Sequence, residues 1–287
     1  MGQTLTAVAD RLTDLSRQRF MDPYQRVGWP PVLDPTDWQF APELMAGWGL
    51  PAVAELSPEA QKKLSLCEAL NLFSINIHGE KLLLQGLARR LHEPRFRQVS
   101  GYLQHFIDEE NRHLHWFGEF CRRYGRIYPS RHIALAAEPL PEGAEDFLFF
   151  ARILVFEEIV DAYNARLGRD ERLSPTARLI NRLHHEDEVR HRAFGRHLVR
   201  QLWVDGVKDW PQAVPSALGQ RLGAWLQAVW RGFYNPDVYR DAGLSQPHAL
   251  IRAAWDAPAA RALRHAVTTP VTGFLERIGA FAHEVAA

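Results

Sequence analysis

Apolar residues recur at helical spacing through most of the chain. Phe73, Ile77, Leu84 and Leu87 lie three, four or seven residues apart and mark one face of a helix over residues 57–91. Ser57 is placed to cap its start, and Pro58 suits the first helical position. A second helix is expected over about 94–123, ending near Gly125. A third spans about 144–167 before Gly168, with Phe150, Ile153, Leu154 and Val160 in its apolar stripe. The fourth begins at Ser174-Pro175, again cap then proline, and runs to about 203. The first 20 residues also read as an amphipathic helix, and further helices are expected near 215–234, 247–265 and 270–285. Prolines 30, 31 and 35 make the segment after the first helix an extended arm, and prolines 129, 139 and 141 mark a loop. No alternation of period two joined by hairpin turns stands out. The predicted class is all-α: a four-helix bundle over about 57–205 with additional N- and C-terminal helices, in a single domain of residues 1–287.

Two of the apolar stripes carry carboxylates. Glu80 lies inside the first helix's stripe, and Glu157 and Glu158 lie beside the third's. A buried charge without a partner costs several kcal/mol or more, so such a group needs a counter-charge or a metal. The next helix in each case supplies Glu-x-x-His: Glu110 with His113, 30 residues after Glu80, and Glu188 with His191, 31 residues after Glu157. One Glu from each of two helices plus Glu-x-x-His from each of two others is the layout that holds two metal ions in a bundle core. Composition alone predicts roughly 0.1 occurrences of Glu-x-Arg-His in a chain like this, so two by chance is on the order of one in two hundred. Both copies also begin with an extra acid, Glu109 and Asp187, placed to accept a hydrogen bond from a ligating imidazole. Arg112 and Arg190 would screen those outer carboxylates. His184 shares the face of Glu188 and His191, whereas His185 points about 100° away. Periodicity does not choose between Glu157 and Glu158, and equal separations of 30 favour Glu158. Carboxylate with imidazole suits iron or manganese better than a thiolate-preferring metal. His78, His105 and His115 read as surface or packing residues.

Bulk properties narrow the class further. Formal net charge is zero with a near-neutral pI, which gives no footprint for nucleic acid. No run of 18 apolar residues predicts a membrane span. Gly2 and Thr6 formally fit a myristoylation pattern, but the residues that follow read as an amphipathic soluble helix. Cys67 and Cys121 are far apart and outside any Cys-x-x-Cys, so they read as buried thiols in a reducing, cytoplasmic setting. The nine tryptophans read as core and packing residues.

The fourth-helix segment HHEDEVRHRAFGR, the DEENRH of the second helix, and the stretch from FEEIVDAYNARLGRDERL to its double His resemble the p-aminobenzoate N-oxygenase family, the AurF-type di-iron oxygenases. The upstream LSPEAQKKLSLCEALNLFSINIHGEKLLLQ and the downstream NPDVYRDAGL are similar too, so the resemblance covers about residues 38–245. It implies a ferritin-like fold and a seventh ligand, His184, one turn before Glu188. It also implies Glu157 rather than Glu158 as the third-helix ligand. The implied activity is O2-dependent oxidation of an amine nitrogen of a small molecule, in secondary metabolism, at two iron ions or a manganese–iron pair. An external electron donor is implied, since no flavin or nicotinamide fingerprint is present, as is a homodimer. A radical-generating protein would want a tyrosine four residues after His113, where Phe117 stands. A ferroxidase is normally shorter, and a hydroxylase or desaturase acting on carbon is the main alternative.

Overall fold

The computed structural model describes residues 4–130 and 139–281. Gly2 of the myristoylation pattern lies outside them. Along the chain come α1 (Leu5–Gln18), α2 (Pro23–Arg26), α3 (Pro51–Ala54), α4 (Pro58–Arg90), α5 (Ser100–Tyr124) and α6 (Ala144–Leu167). They are followed by α7 (Pro175–Gly206), α8 (Ala213–Phe233), α9 (Pro236–Ala242), α10 (Pro247–Asp256) and α11 (Pro258–Arg277). Among the described residues the one β feature recorded is an isolated bridge between Trp38 and Leu173.

The bundle is α4 to α7, with α4 along α5 and α6 along α7. The expected caps form: Ser57 Oγ accepts from the Ala60 N–H, and Ser174 Oγ from the Ala177 N–H, both at 3.3 Å. Each satisfies a donor that the helix itself leaves orphaned. Ser174 also ties the proline-rich arm down, donating its hydroxyl to Gln39 Oε1 at 2.5 Å while its backbone N–H bonds the Trp38 carbonyl at 2.8 Å. Outside the bundle, α1 lies on α5 and α7, α9 on α4, and α8 and α11 on α6. That cover explains why α6 buries residues on nearly every side.

Helix α4 runs antiparallel to α6 at close range. Gly79 meets Phe156, Gly86 meets Phe149, and Arg90 pairs with Asp146 at 2.8 Å. A Cβ on Gly79 would fall 2.2 Å from Phe156 Cζ, and one on Gly86 1.9 Å from Phe149 Cε2, so only glycine admits those rings.

Boundaries differ from expectation in three places. Residues 94–96 form a separate 3₁₀ turn, and α5 starts at Ser100. Within α4 the buried stripe runs through Leu83 rather than Leu84, which is half-buried. The break expected before Pro270 falls instead at Ala257-Pro258, where proline takes the first helical position and costs no hydrogen bond. Pro270 lies inside α11, where it has no N–H to offer the Ala266 carbonyl one turn before it.

Candidate metal centre

Glu80 comes from α4, Glu110 and His113 from α5, Glu157 from α6, and His184, Glu188 and His191 from α7; all are buried. They fall into three overlapping groups whose donor atoms lie within 4.8 Å of one another: Glu80, His113 and His184; Glu110, His113 and Glu188; Glu110, Glu157 and His191. Every ligand position expected from the sequence is in at least one group. Glu158 is in none. Its carboxylate turns to Arg196 Nη2 at 2.5 Å and Arg192 Nη1 at 3.6 Å. Adjacent helical positions point about 100° apart, which is why one Glu faces the bundle axis and the other an arginine pair.

The imidazoles are oriented from behind, and the acids cross between helices. His113 Nε2 is 3.1 Å from Asp187 on α7, and His191 Nε2 is 2.8 Å from Glu109 on α5. With Nε2–H donating outward, the Nδ1 atoms face the centre. His113 Nδ1 lies 3.4 Å from Glu110, and His191 Nδ1 2.9 Å from Glu110 and 3.3 Å from Glu188. His184 is reversed: its Nε2 lies 3.1 Å from Glu188 and 3.4 Å from Glu80, while Nδ1 lies 2.5 Å from Asn164 Nδ2. Arg190 Nη2 bridges Glu109 at 2.6 Å and Asp187 at 2.5 Å, and Arg112 Nη2 reaches Asp187 at 3.3 Å. Both arginines therefore brace the outer acids.

Electrostatics set Glu80 and Glu157 apart from Asp187. Burial pushes the Glu80 carboxyl up to about 8. Burial, with the Glu188 carboxylate close by, holds Glu157 well above the usual range. Burial works in the same direction on Asp187, but the His113 hydrogen bond and charge and Arg190 outweigh it, so that carboxyl sits well below its ordinary value. Burial and His184 push the His113 imidazole down, yet Glu110 and Asp187 lift it to about 9.

The residues fit a pair of divalent cations. Both Glu80 oxygens, Glu110 Oε1, Glu157 Oε1 and Glu188 Oε2 are buried without a hydrogen-bond partner, although Glu110 Oε1 approaches His191 out of alignment. Buried carboxylate oxygens are normally satisfied. Two divalent cations would satisfy them and neutralise their mutual repulsion, with the imidazoles as neutral donors.

A cavity of about 720 Å³ opens from this centre. Glu80, Glu110, Glu157, His184 and Glu188 form its inner end. Its walls include Leu83, Leu148, Phe149, Ile153 and Phe156. Arg89, Arg152, Arg221 and Glu145 also line it. The Arg152 Nε–H is buried with no hydrogen-bond partner among the described residues.

Sequence reasoning missed Asn164 and Asn76. Both are fully buried amides on the ligand-bearing faces, seven residues after Glu157 and four before Glu80. Buried polar residues at helical spacing from a ligand were the available signal. Three other histidines are engaged away from the centre: His78 Nε2 with the Tyr128 carbonyl at 2.8 Å, His115 edge-on to Tyr24, and His185 with Asp161 at 2.7 Å. Cys67 and Cys121 are free and buried, and burial pushes their thiols to about 11 and about 12.

The helical bundle and its donor set are able to hold two metal ions, and the family the chain matches makes it a di-metal oxidoreductase. The family model for p-aminobenzoate N-oxygenase AurF matches residues 2–279, and the chain belongs to that family. No curated protein matches it. Among solved structures it is similar to an R2-like ligand-binding oxidase with aerobically reconstituted Mn/Fe cofactor after a long soak. That match has a TM-score of 0.51 and 14% identity, covering 96% of this chain and 93% of that one. A valine-to-alanine mutant of an R2-like ligand-binding oxidase, with anaerobically reconstituted Mn/Fe cofactor, gives 0.50 and 16% over the same shares. At these identities the likeness shows a shared fold. Among the described residues no helix is long and apolar enough to cross a membrane.

Proposed function

We propose that Glu80, Glu110, His113, Glu157, His184, Glu188 and His191 hold two iron ions, and that the protein uses O2 to oxidise the nitrogen of a small amine bound in the adjoining cavity. The observation that carries this is the set of partnerless buried carboxylate oxygens at the inner end of a largely apolar chamber. Bound iron supplies the O2-activating redox chemistry, and a manganese–iron pair is the variant composition. An external donor supplies the electrons. The protein acts as a cytoplasmic homodimer in secondary metabolism, with residues 1–287 forming one domain.

The chain's own residues do the rest. Asp187 and Glu109 accept hydrogen bonds from the Nε2–H of His113 and His191, which fixes the tautomer and leaves each Nδ1 lone pair for metal. Asn164 sets the ring plane of His184. Phe149, Phe156 and Ile153 keep water from the reacting nitrogen. Arg152 suits an anionic substituent on the substrate. It lines the same cavity as Glu157.

Stopped-flow absorption of the anaerobically iron(II)-loaded protein mixed with O2 tests this reading. The expected result is a visible band that forms quickly, persists alone and decays when an accepted amine is added. Rapid passage to a featureless ferric product, indifferent to amines, would favour a ferroxidase. A band that decays only with hydrocarbon substrates would favour oxidation of carbon.

A further inference from the structure

Asn76 lies one turn before Glu80 on α4, so the two side chains share a helix face. It is 0 % exposed and lines the cavity beside Glu80. Its Nδ2 donates to the Leu72 carbonyl at 2.9 Å. A carbonyl accepts only, so this bond fixes which end of the amide is which. The other end, Oδ1, is buried and has no hydrogen-bond partner. Asn181 makes the same bond to the Ala177 carbonyl and also leaves Oδ1 unpartnered, but it is not among the residues lining this cavity. What distinguishes Asn76 is that it lines the chamber one turn from Glu80 and carries a buried acceptor without a donor.

We infer that Asn76 Oδ1 accepts a hydrogen bond from the substrate nitrogen, so that the site takes primary and secondary amines and selects against tertiary ones. This rests on the amine-oxidising reading above and names its substrate class more closely. An amine with at least one N–H satisfies Asn76 while its lone pair turns toward the metal centre. Losing the N–H through full substitution leaves Oδ1 buried and unpaired. A site built to bond a donor rejects the analogue that lacks it for that reason. Neighbouring acidic side chains at this end are cation ligands in the loaded protein, which leaves Asn76 as the neutral acceptor for the amine.

Isothermal titration of the anaerobic iron(II)-loaded protein tests the inference with three probes: 4-aminobenzoate, its N-methyl derivative and its N,N-dimethyl derivative. Wild type should bind the first two alike and the third about 10-fold more weakly, a step at the loss of the last N–H. Asn76→Leu should remove that step by weakening the N–H probes, with the dimethyl probe and the metal content unchanged. An even loss per methyl in wild type would indicate bulk and overturn the inference, as would equal binding of all three. So would an Asn76→Leu protein that keeps the step. The wild-type series needs no variant, so a poorly folded Asn76→Leu leaves the inference exposed to refutation. If wild type binds none of the probes, the amine reading itself fails and this inference falls with it.

Discussion

Glu68 and Glu80 are buried carboxyl groups in two different regions, and the protein treats them differently. Glu68, on α4 three turns before Glu80, accepts from the Ala46 N–H at 3.1 Å and from the Tyr239 hydroxyl at 3.2 Å. Glu80 has no hydrogen-bond partner for either oxygen. Burial pushes both carboxyls up to about 8. The shift by itself therefore does not separate a structural acid from a proposed metal ligand. Satisfaction does. Glu68 has neutral donors that suit a protonated, packed carboxyl, whereas Glu80 faces other acids and imidazoles that only cations bring into balance. Asp187 and Glu109 form a third kind, held ionised by histidines and by Arg190.

Removing a ligand should break the comparison most sharply. Glu188→Ala should hold fewer than two metals per chain and lose turnover. Elemental analysis beside activity checks this, and a variant that keeps both metals would count against the ligand set. Asp187→Asn, which weakens the support behind His113, should lower metal affinity about 10- to 100-fold while keeping the helical fold; competition with a chelator measures it.

Glu68 should behave in the opposite way. Its folded pKa lies above its unfolded value of 4.5. Its contribution to stability is therefore complete below pH 4.5 and is lost as pH rises through about 8. Glu68→Gln should retain both metals and flatten that part of the pH–stability curve, by an amount of the order of a few kcal/mol, read from denaturant unfolding of both proteins across the window. Glu158→Gln should have the smallest effect. It loses its ion pairs to Arg196 and Arg192, about 1 kcal/mol of stability, with metal content unchanged. Loss of a metal there would reverse the assignment of Glu157.

The sequence by itself determined the helical class, the caps at Ser57 and Ser174, and the repeated Glu…Glu-x-x-His pattern. These are properties of spacing along one helix, and spacing is fixed by 3.6 residues per turn. It also placed His184 beside Glu188 for the same reason. Helical geometry did not choose between Glu157 and Glu158, because each adjoins apolar residues and the choice depends on where Arg192 and Arg196 come to rest. Only the tertiary structure decided that Glu109 serves His191 and Asp187 serves His113, each across to the other helix. It alone showed that His184 turns its other nitrogen to the centre, and that Gly79 and Gly86 admit the rings that wall the cavity. Those are relations between helices far apart in the chain, and a periodicity within one helix carries no information about its rotation against the next.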